Sequence, residues 1–193
     1  LYCNGQNDNW LISPSFSTVG ATHVNVKFYQ MYRSFEDQCF IEVSTNGGTS
    51  WTEMEINADV ADNVTTSNPD IRNIDISTLA ANAANVKIAF RFYSSSDNSA
   101  NGGCAYSWMI DDLVVNNEMA VVETPLYSWD FNGDLQGWTS SNVSPDTAVW
   151  IWSATGDPTP ALIQQPGTHI NSPTYANGSA MFNADGYITS GGT

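Results

Sequence analysis

Two adjacent aspartates, Asp111 and Asp112, lie in the middle of the apolar segment YSWMIDDLVV, Tyr106 to Val115. The segment alternates as a half-buried strand does, and neighbouring residues of a regular strand point to opposite faces. At least one carboxylate is therefore aimed at the packed side, where its charge must be compensated. A bound cation, an arginine such as Arg91, or backbone N–H groups could supply that compensation, and the sequence leaves all three open.

A second group of oxygen-bearing side chains lies in the run WDFNGD, Trp129 to Asp134. Asp130, Asn132 and Asp134 occupy alternate positions, and Gly133 stands among them. This spacing is found in cation-binding loops, although the run lacks the glutamate at the twelfth position of an EF-hand. A polar turn that binds no ion has the same composition, so the run supports either interpretation.

Groups typical of catalysis are scarce in the chain. His23 and His169 are the only histidines, and neither has a second His or Cys at metal-ligand spacing. The sequence contains no G-x-S-x-G elbow, no phosphate-binding loop and no dinucleotide-binding fingerprint. We therefore expect that the protein is not an enzyme.

The charge balance excludes several classes of partner. The formal charge is −15, from 20 acidic and 5 basic residues, and no lysine or arginine follows Arg91. Such a chain repels phosphate backbones and anionic lipid, so we expect neither nucleic-acid binding nor membrane attachment.

No apolar run approaches the roughly 20 residues of a membrane-spanning helix. A first residue other than Met indicates a mature or excised segment, and a surface rich in Asn, Ser, Thr and Gly favours a secreted or cell-surface bacterial protein.

The three cysteines, Cys3, Cys39 and Cys104, are too few for a small disulfide framework and form no C-x-x-C pair. Buried free thiols are one interpretation. In an oxidising compartment Cys39 and Cys104 are the candidate disulfide, because each lies at the start of a predicted strand, and Cys3 would be left over.

Aromatic residues are more numerous than a core of this size needs. Strand position assigns Trp10 and Trp108 to the core. The candidate ligand surface comprises Trp138, Trp150, Trp152 and the loop from Pro158 to His169. Aromatic faces stack on sugar rings and anchor protein contacts, so a glycan or a protein is the expected ligand.

Almost every periodic stretch has a period of two, which predicts strands. The strands predicted in the first part of the chain are Trp10 to Phe16, His23 to Tyr32, Cys39 to Thr45, Trp51 to Ile56, Ile71 to Ser77, Val86 to Tyr93 and Trp108 to Val115. Asn46-Gly47-Gly48 predicts a tight hairpin. Ser77 to Asn85 alone has helical character, with Ser77 as its candidate cap. Later strands are predicted after Tyr127, at Val149 to Ala154, at Ser179 to Ala184 and at Tyr187 to Thr189. An all-β sandwich follows.

Nine short motifs carry a family resemblance. The first part of the chain contains Trp10-Leu11-Ile12-Ser13-Pro14, Ser44-Thr45-Asn46-Gly47-Gly48, Ile74-Asp75-Ile76-Ser77, Lys87-Ile88-Ala89-Phe90-Arg91 and Ile110-Asp111-Asp112-Leu113. The last part contains Trp129-Asp130-Phe131, Gly137-Trp138, Trp150-Ile151-Trp152 and Ser179-Ala180-Met181-Phe182. The set resembles the cleaved-adhesin or choice-of-anchor-J domains, which are MAM-like extracellular jelly-roll modules of surface or secreted proteins of Bacteroidota.

The order of the motifs differs from the order in that family, where the second set opens the module and the first set closes it. The resemblance thus implies that residues 1–118 are the back portion of a jelly roll, residues 119–126 a linker, and residues 127–193 the front portion of the same or the next module. A jelly roll cut in two exposes strand edges and half a core. We therefore predict that strands after Trp129 complete the sandwich that residues 1–118 begin, from the same chain or from a neighbouring copy.

The resemblance also implies a role. Modules of this kind often carry a structural calcium that ties the opening strand to the closing strand, and the candidate ligands here are Asp111, Asp112, Asp130, Asn132 and Asp134. It implies a non-catalytic, extracellular adhesion module. A structural repeat of a filament or stalk, whose partners are neighbouring copies, and an accessory domain of a secreted protease are the alternatives. Asp146-Thr147-Ala148 resembles an O-glycan acceptor of Bacteroidota, with Thr147 as the modified residue.

Overall fold

The computed structural model describes residues 2–3, 6–94, 104–117, 125–144, 148–156 and 169–183, and this part of the chain is nearly all β. The strands are β1 (Tyr2–Cys3), β2 (Asn7–Ile12), β3 (Asn25–Arg33), β4 (Asp37–Ser44), β5 (Thr52–Ile56), β6 (Asp70–Asp75), β7 (Lys87–Ser94), β8 (Cys104–Ala105), β9 (Ser107–Asn116), β10 (Pro125–Trp129), β11 (Thr139–Asn142), β12 (Ile151–Ser153) and β13 (Ser179–Asn183). The helical elements are α1 (Ser77–Ala80) and a 3-10 turn (Tyr175–Asn177). None of the described helices is long and apolar enough to span a membrane.

Two antiparallel sheets pack as a β-sandwich, which confirms the predicted fold class. The six-stranded sheet has the order β12-β13-β9-β3-β6, with β10 also paired to β9. The five-stranded sheet has the order β11-β2-β7-β4-β5, and β1 pairs separately with β8. The predicted strand at Tyr187 to Thr189 lies outside the described residues.

The structure confirms the predicted hairpin turn, but the predicted helix cap is wrong. Gly47 and Gly48 have positive φ angles of 73° and 96°, and they connect β4 to β5 as predicted. Ser77 does not cap α1; it is the first helical residue, and its hydroxyl accepts the Val24 N–H at 2.9 Å. The backbone N–H of Ser77 instead donates to the Asp75 carboxylate at 2.8 Å.

Apolar side chains at every second position of the strands point inward and fill the core between the two sheets. In β7, Ile88, Phe90 and Phe92 are fully buried, whereas Arg91 between them lies on the outer face. Trp108 is fully buried, as predicted. The core assignment of Trp10 is wrong, because the indole lies on the outer face of the five-stranded sheet. Its Nε1–H donates to Asp8 at 2.9 Å, and its ring lies 5.2 Å from the Arg91 guanidinium carbon.

The C-terminal part of the chain supplies strands to both sheets, as predicted. Strand β11 pairs with β2 in the five-stranded sheet, while β10 and β13 both pair with β9 in the six-stranded sheet. The rings of the two parts interleave in one core, at centroid distances of 5.5 Å for Trp108–Trp150, 4.7 Å for Phe92–Phe182 and 5.8 Å for Phe90–Trp138. The sandwich is therefore closed by strands from the same chain.

Replacement of Trp150 by alanine tests this shared core. We expect Trp150→Ala to lower the free energy of unfolding by about 3–5 kcal/mol, because a large ring is removed from a packed interior. The matched control is Ile151→Ala on the adjacent, 40% exposed residue, for which we expect a loss of about 1 kcal/mol or less. Urea denaturation measures both values, and equal losses would contradict a core that depends on the tail.

Candidate functional site

A β-bulge explains how strand β9 accommodates two adjacent aspartates. Opposite β9, Tyr29 pairs with Asp111 but Lys27 pairs with Val114, so the register shifts between these two pairs. Asp112 has a φ angle of 48°, in the left-handed region that Asp tolerates better than most residues. The extra residue interrupts the regular alternation. Both carboxylates consequently bond to the segment from Ser172 to Thr174.

The bulge lies where β9 changes partner. Before it, Ile110 pairs with Ala180 of β13; after it, Leu113 pairs with Trp129 of β10. Asp130 directly follows β10, so its carboxylate also belongs to this region. We call the group formed by Asp111, Asp112, Asp130, Ser172 and Thr174 the β9 junction. It joins β9 to the two strands that the tail supplies, β10 and β13.

Asp111 is the buried member of the junction. Its carboxylate accepts hydrogen bonds from the Ser172 hydroxyl and, at 2.8 Å, from the Asp112 N–H. The pKa of Asp111 is raised from 3.8 to about 7, chiefly by burial; the negative charges of Asp112 and Asp130 contribute to the rise, and the two hydrogen bonds oppose it. Ionised Asp111 therefore lacks an adequate positive partner among the described residues.

The other two carboxylates line an open depression of about 610 Å³ beside β10. Asp112 accepts from the Thr174 hydroxyl at 2.7 Å and from the Thr174 N–H at 3.2 Å. Asp130 accepts from Gln136 Nε2 at 2.7 Å and from Asn177 Nδ2 at 3.2 Å. These donors are neutral, so they offset the two charges only in part.

The two remaining predicted cation ligands have no hydrogen bond to Asp111, Asp112 or Asp130 among the described residues. Asn132 and Asp134 are exposed in the turn after β10, where Gly133 has a φ angle of 82°. Asp134 accepts the Gln136 N–H at 2.6 Å and so closes the turn. Within the described ranges, no three or more His, Cys, Asp or Glu side chains are grouped so that they could hold a metal ion.

Arg91 is not the partner of the paired aspartates, so that alternative is wrong. Its guanidinium lies on the opposite sheet and binds Asp8 at 2.7 and 3.0 Å, with further bonds to Glu42 and Glu53. Backbone N–H groups supply part of the expected compensation. The Asp112 amide donates to the Asp111 carboxylate, and the Thr174 amide donates to the Asp112 carboxylate.

The prediction that Trp138 and Trp150 form a ligand surface is wrong. These residues are 4% and 2% exposed and pack in the core. Trp152 is half-buried, and its Nε1–H donates to the Phe131 carbonyl at 2.7 Å. His169 stacks on Tyr175 at 4.9 Å, but residues 157–168 of the predicted loop lie outside the described residues. Trp138 and Trp150 thus serve packing of the core.

The predicted Cys39–Cys104 disulfide is also wrong. Cys39 is a free thiol, 1% exposed, on β4 between Phe92 and Ile56 of the neighbouring strands. The backbone of Cys104 pairs with that of Cys3 in the separate β1–β8 ladder. Thr147, the predicted glycan acceptor, lies outside the described residues.

Sequence reasoning missed Ser172, Thr174, Gln136 and Asn177, which donate to the junction carboxylates. They lie in loops with no hydrophobic period, and only the fold brings them to β9. Their residue types are common throughout the chain, so no sequence signal distinguishes them.

No protein-family model matches the chain, and a search of curated proteins finds no relative of it. The resemblance to the cleaved-adhesin modules therefore depends on the motifs alone.

A second buried carboxylate, Asp37, lies at the start of β4. It accepts from the Tyr32 hydroxyl and from the Phe35 N–H at 3.3 Å. Burial raises the pKa of Asp37 from 3.8 to about 7, and the charge of Asp62 adds to the shift while the hydrogen bonds oppose it. The same burial raises the pKa of the neighbouring Cys39 thiol.

The raised pKa of Asp37 predicts how stability changes with pH. Between pH 4 and 7 the folded protein holds a proton on Asp37 that the unfolded chain has lost, so the free energy of unfolding falls as the pH rises through this window. We expect Asp37→Asn to reduce that fall by an amount on the order of a few kcal/mol. Urea denaturation at pH 4.5 and 8, in chelator, measures it. Exposed Asp134→Asn is the control, and an unchanged pH dependence in Asp37→Asn would show that Asp37 does not carry it.

Proposed function

We propose that the chain is a non-catalytic, extracellular adhesion module that calcium stabilises. The observation that supports this proposal is the β9 junction, where Asp112 of the head and Asp130 of the tail line one depression at the change of strand partner. Calcium prefers carboxylate and neutral oxygen ligands, which are the groups present there. Because no three carboxylates of the described residues are already grouped as a metal site, calcium binding would have to draw Asp111, Asp112 and Asp130 closer together, with Ser172 and Thr174 as neighbouring oxygen donors.

The electrostatics of the junction favour a cation. Asp112 and Asp130 line the same depression beside β10. Among the described residues, the hydrogen-bond donors to the three junction carboxylates are neutral side chains and backbone amides. A divalent ion would compensate the charge of Asp111, whose pKa is raised chiefly by burial and to a smaller extent by the charges of Asp112 and Asp130. It would stabilise the folded state, because the unfolded chain does not bring these residues together.

Calcium and chelator titrations of the melting temperature test the proposal. At a calcium concentration about 100 times the dissociation constant, we expect a gain of about 2.7 kcal/mol, which for this length raises the melting temperature by roughly 5–10 °C. Asp111→Asn and Asp130→Asn should abolish the rise, whereas Asp134→Asn should retain it. Sodium chloride at matched ionic strength controls for screening. A melting temperature unchanged by calcium would refute the calcium site.

Adhesion is tested separately on an array of glycans and extracellular matrix proteins. The calcium-loaded chain should bind at least one class above background, and the binding should weaken in chelator if the junction supports the binding surface. Signals equal to background for every ligand would contradict an adhesion module and favour a spacer.

A further inference from the structure

Strand β5 forms one edge of the five-stranded sheet. Its residues Thr52–Ile56 pair with β4 on one side, and no described strand pairs with them on the other. Such an edge presents unpaired backbone donors and acceptors to any extended segment that approaches.

The side chains of β5 divide by face. Glu53 and Glu55 are exposed and lie opposite Glu42 and Phe40 on the outer face of the sheet. Ile56 is buried, and half-buried Met54 packs against the core. The edge therefore alternates between a carboxylate that faces solvent and an apolar side chain that faces the core.

The neighbouring charges leave this edge negative. Arg91 is the cation beside it, and it is already bound to Asp8, Glu42 and Glu53. Within the described part of the chain, the Glu55 carboxylate accepts one hydrogen bond, from the exposed amide of Gln38 at 3.2 Å. Three carboxylates thus bind one guanidinium, and Glu55 adds a fourth carboxylate on this face, beside an open depression of about 300 Å³ that Phe40 and Tyr93 also line.

A second copy of the chain does not suit this edge. Antiparallel pairing of β5 with β5 of another copy would bring glutamates near glutamates, which is destabilising. The five basic residues, Lys27, Arg33, Arg72, Lys87 and Arg91, include no two that are separated by a single residue. No strand of this chain can therefore place cations opposite both Glu53 and Glu55.

We propose that the β5 edge docks an extended segment of another protein, with basic residues at alternate positions and apolar residues between them. The segment would extend the five-stranded sheet by one antiparallel strand. Its basic side chains would pair with Glu53 and Glu55, and its apolar side chains would cover Met54. This partner class deepens the proposed role as a binding module and rests on it.

A peptide titration tests the proposal. The probe is an acetylated and amidated nine-residue peptide of alternating lysine and valine, added to the ¹⁵N-labelled full chain in calcium-containing buffer. We expect amide shifts centred on Thr52–Ile56 and an affinity that falls with salt. A matched peptide with glutamate in place of lysine should not bind.

Charge-reversed variants identify the residues responsible. Glu55→Lys should weaken binding of the lysine peptide about tenfold or more, since like charges are then opposed. Asp134→Lys makes the same charge change in an exposed turn away from β5 and should leave the affinity within about twofold. Glu55→Gln gives the same direction of effect if the lysine variant folds poorly.

Several results would overturn the proposal. These are equal binding of the two peptides, amide shifts that lie away from β5, no binding at millimolar peptide, or full affinity in Glu55→Lys. The melting titration with calcium does not depend on peptide binding, so failure of the β5 edge is distinguishable from failure of the calcium site.

Discussion

The pairing of β9 on both of its edges is the constraint on which the rest of the structure depends. One edge follows β3 from Asn25 to Arg33, and the other is divided between β13 and β10. Inward-facing Trp108 contacts rings from both parts of the chain, at 5.4 Å from Phe90 and 5.5 Å from Trp150. Without the tail strands, β9 would be an apolar strand with an open edge, which favours aggregation.

The divided edge also determines where charge collects. Strands β13 and β10 cannot both pair with the same residue of β9, so a gap remains between them, and the bulge at Asp112 lies in this gap. The carboxylates of Asp111 and Asp112 lie at this gap, and Asp130 lines the adjoining depression with Asp112, although the second half of the chain has no lysine or arginine. A positive partner for the junction must therefore come from the first half or from solution. Arg91 of the first half is already committed to the opposite sheet.

Much of the fold could be predicted from the sequence because alternation reports which face of a strand is buried. It located β3, β4, β7 and β9 to within a few residues, and the Gly47–Gly48 turn followed from residue type. Strand β11 was missed, because Thr139–Asn142 is polar and becomes a strand through its pairing with β2. The bulge was missed as well, since the positive φ of Asp112 depends on long-range register.

The candidate site was predicted less completely for the same reason. Residue type and position singled out Asp111, Asp112 and Asp130 in the sequence, but not the loop residues Ser172 and Thr174 that bond to two of them. The exposure of Asn132 and Asp134 depends on the turn that follows β10. Aromatic content alone could not show that Trp138 and Trp150 pack in the core, because a stacking surface and a packed interior use the same side chains.

Native-state amide hydrogen exchange of the full chain tests most directly whether head and tail form one cooperative sandwich. We expect the amides of β11 and β13 to exchange with the same opening free energy as those of β3 and β7, because all four strands then open only in global unfolding. Exchange of β11 and β13 by a low-energy local opening, while β3 and β7 stay fully protected, would show that residues 1–117 hold together without the tail.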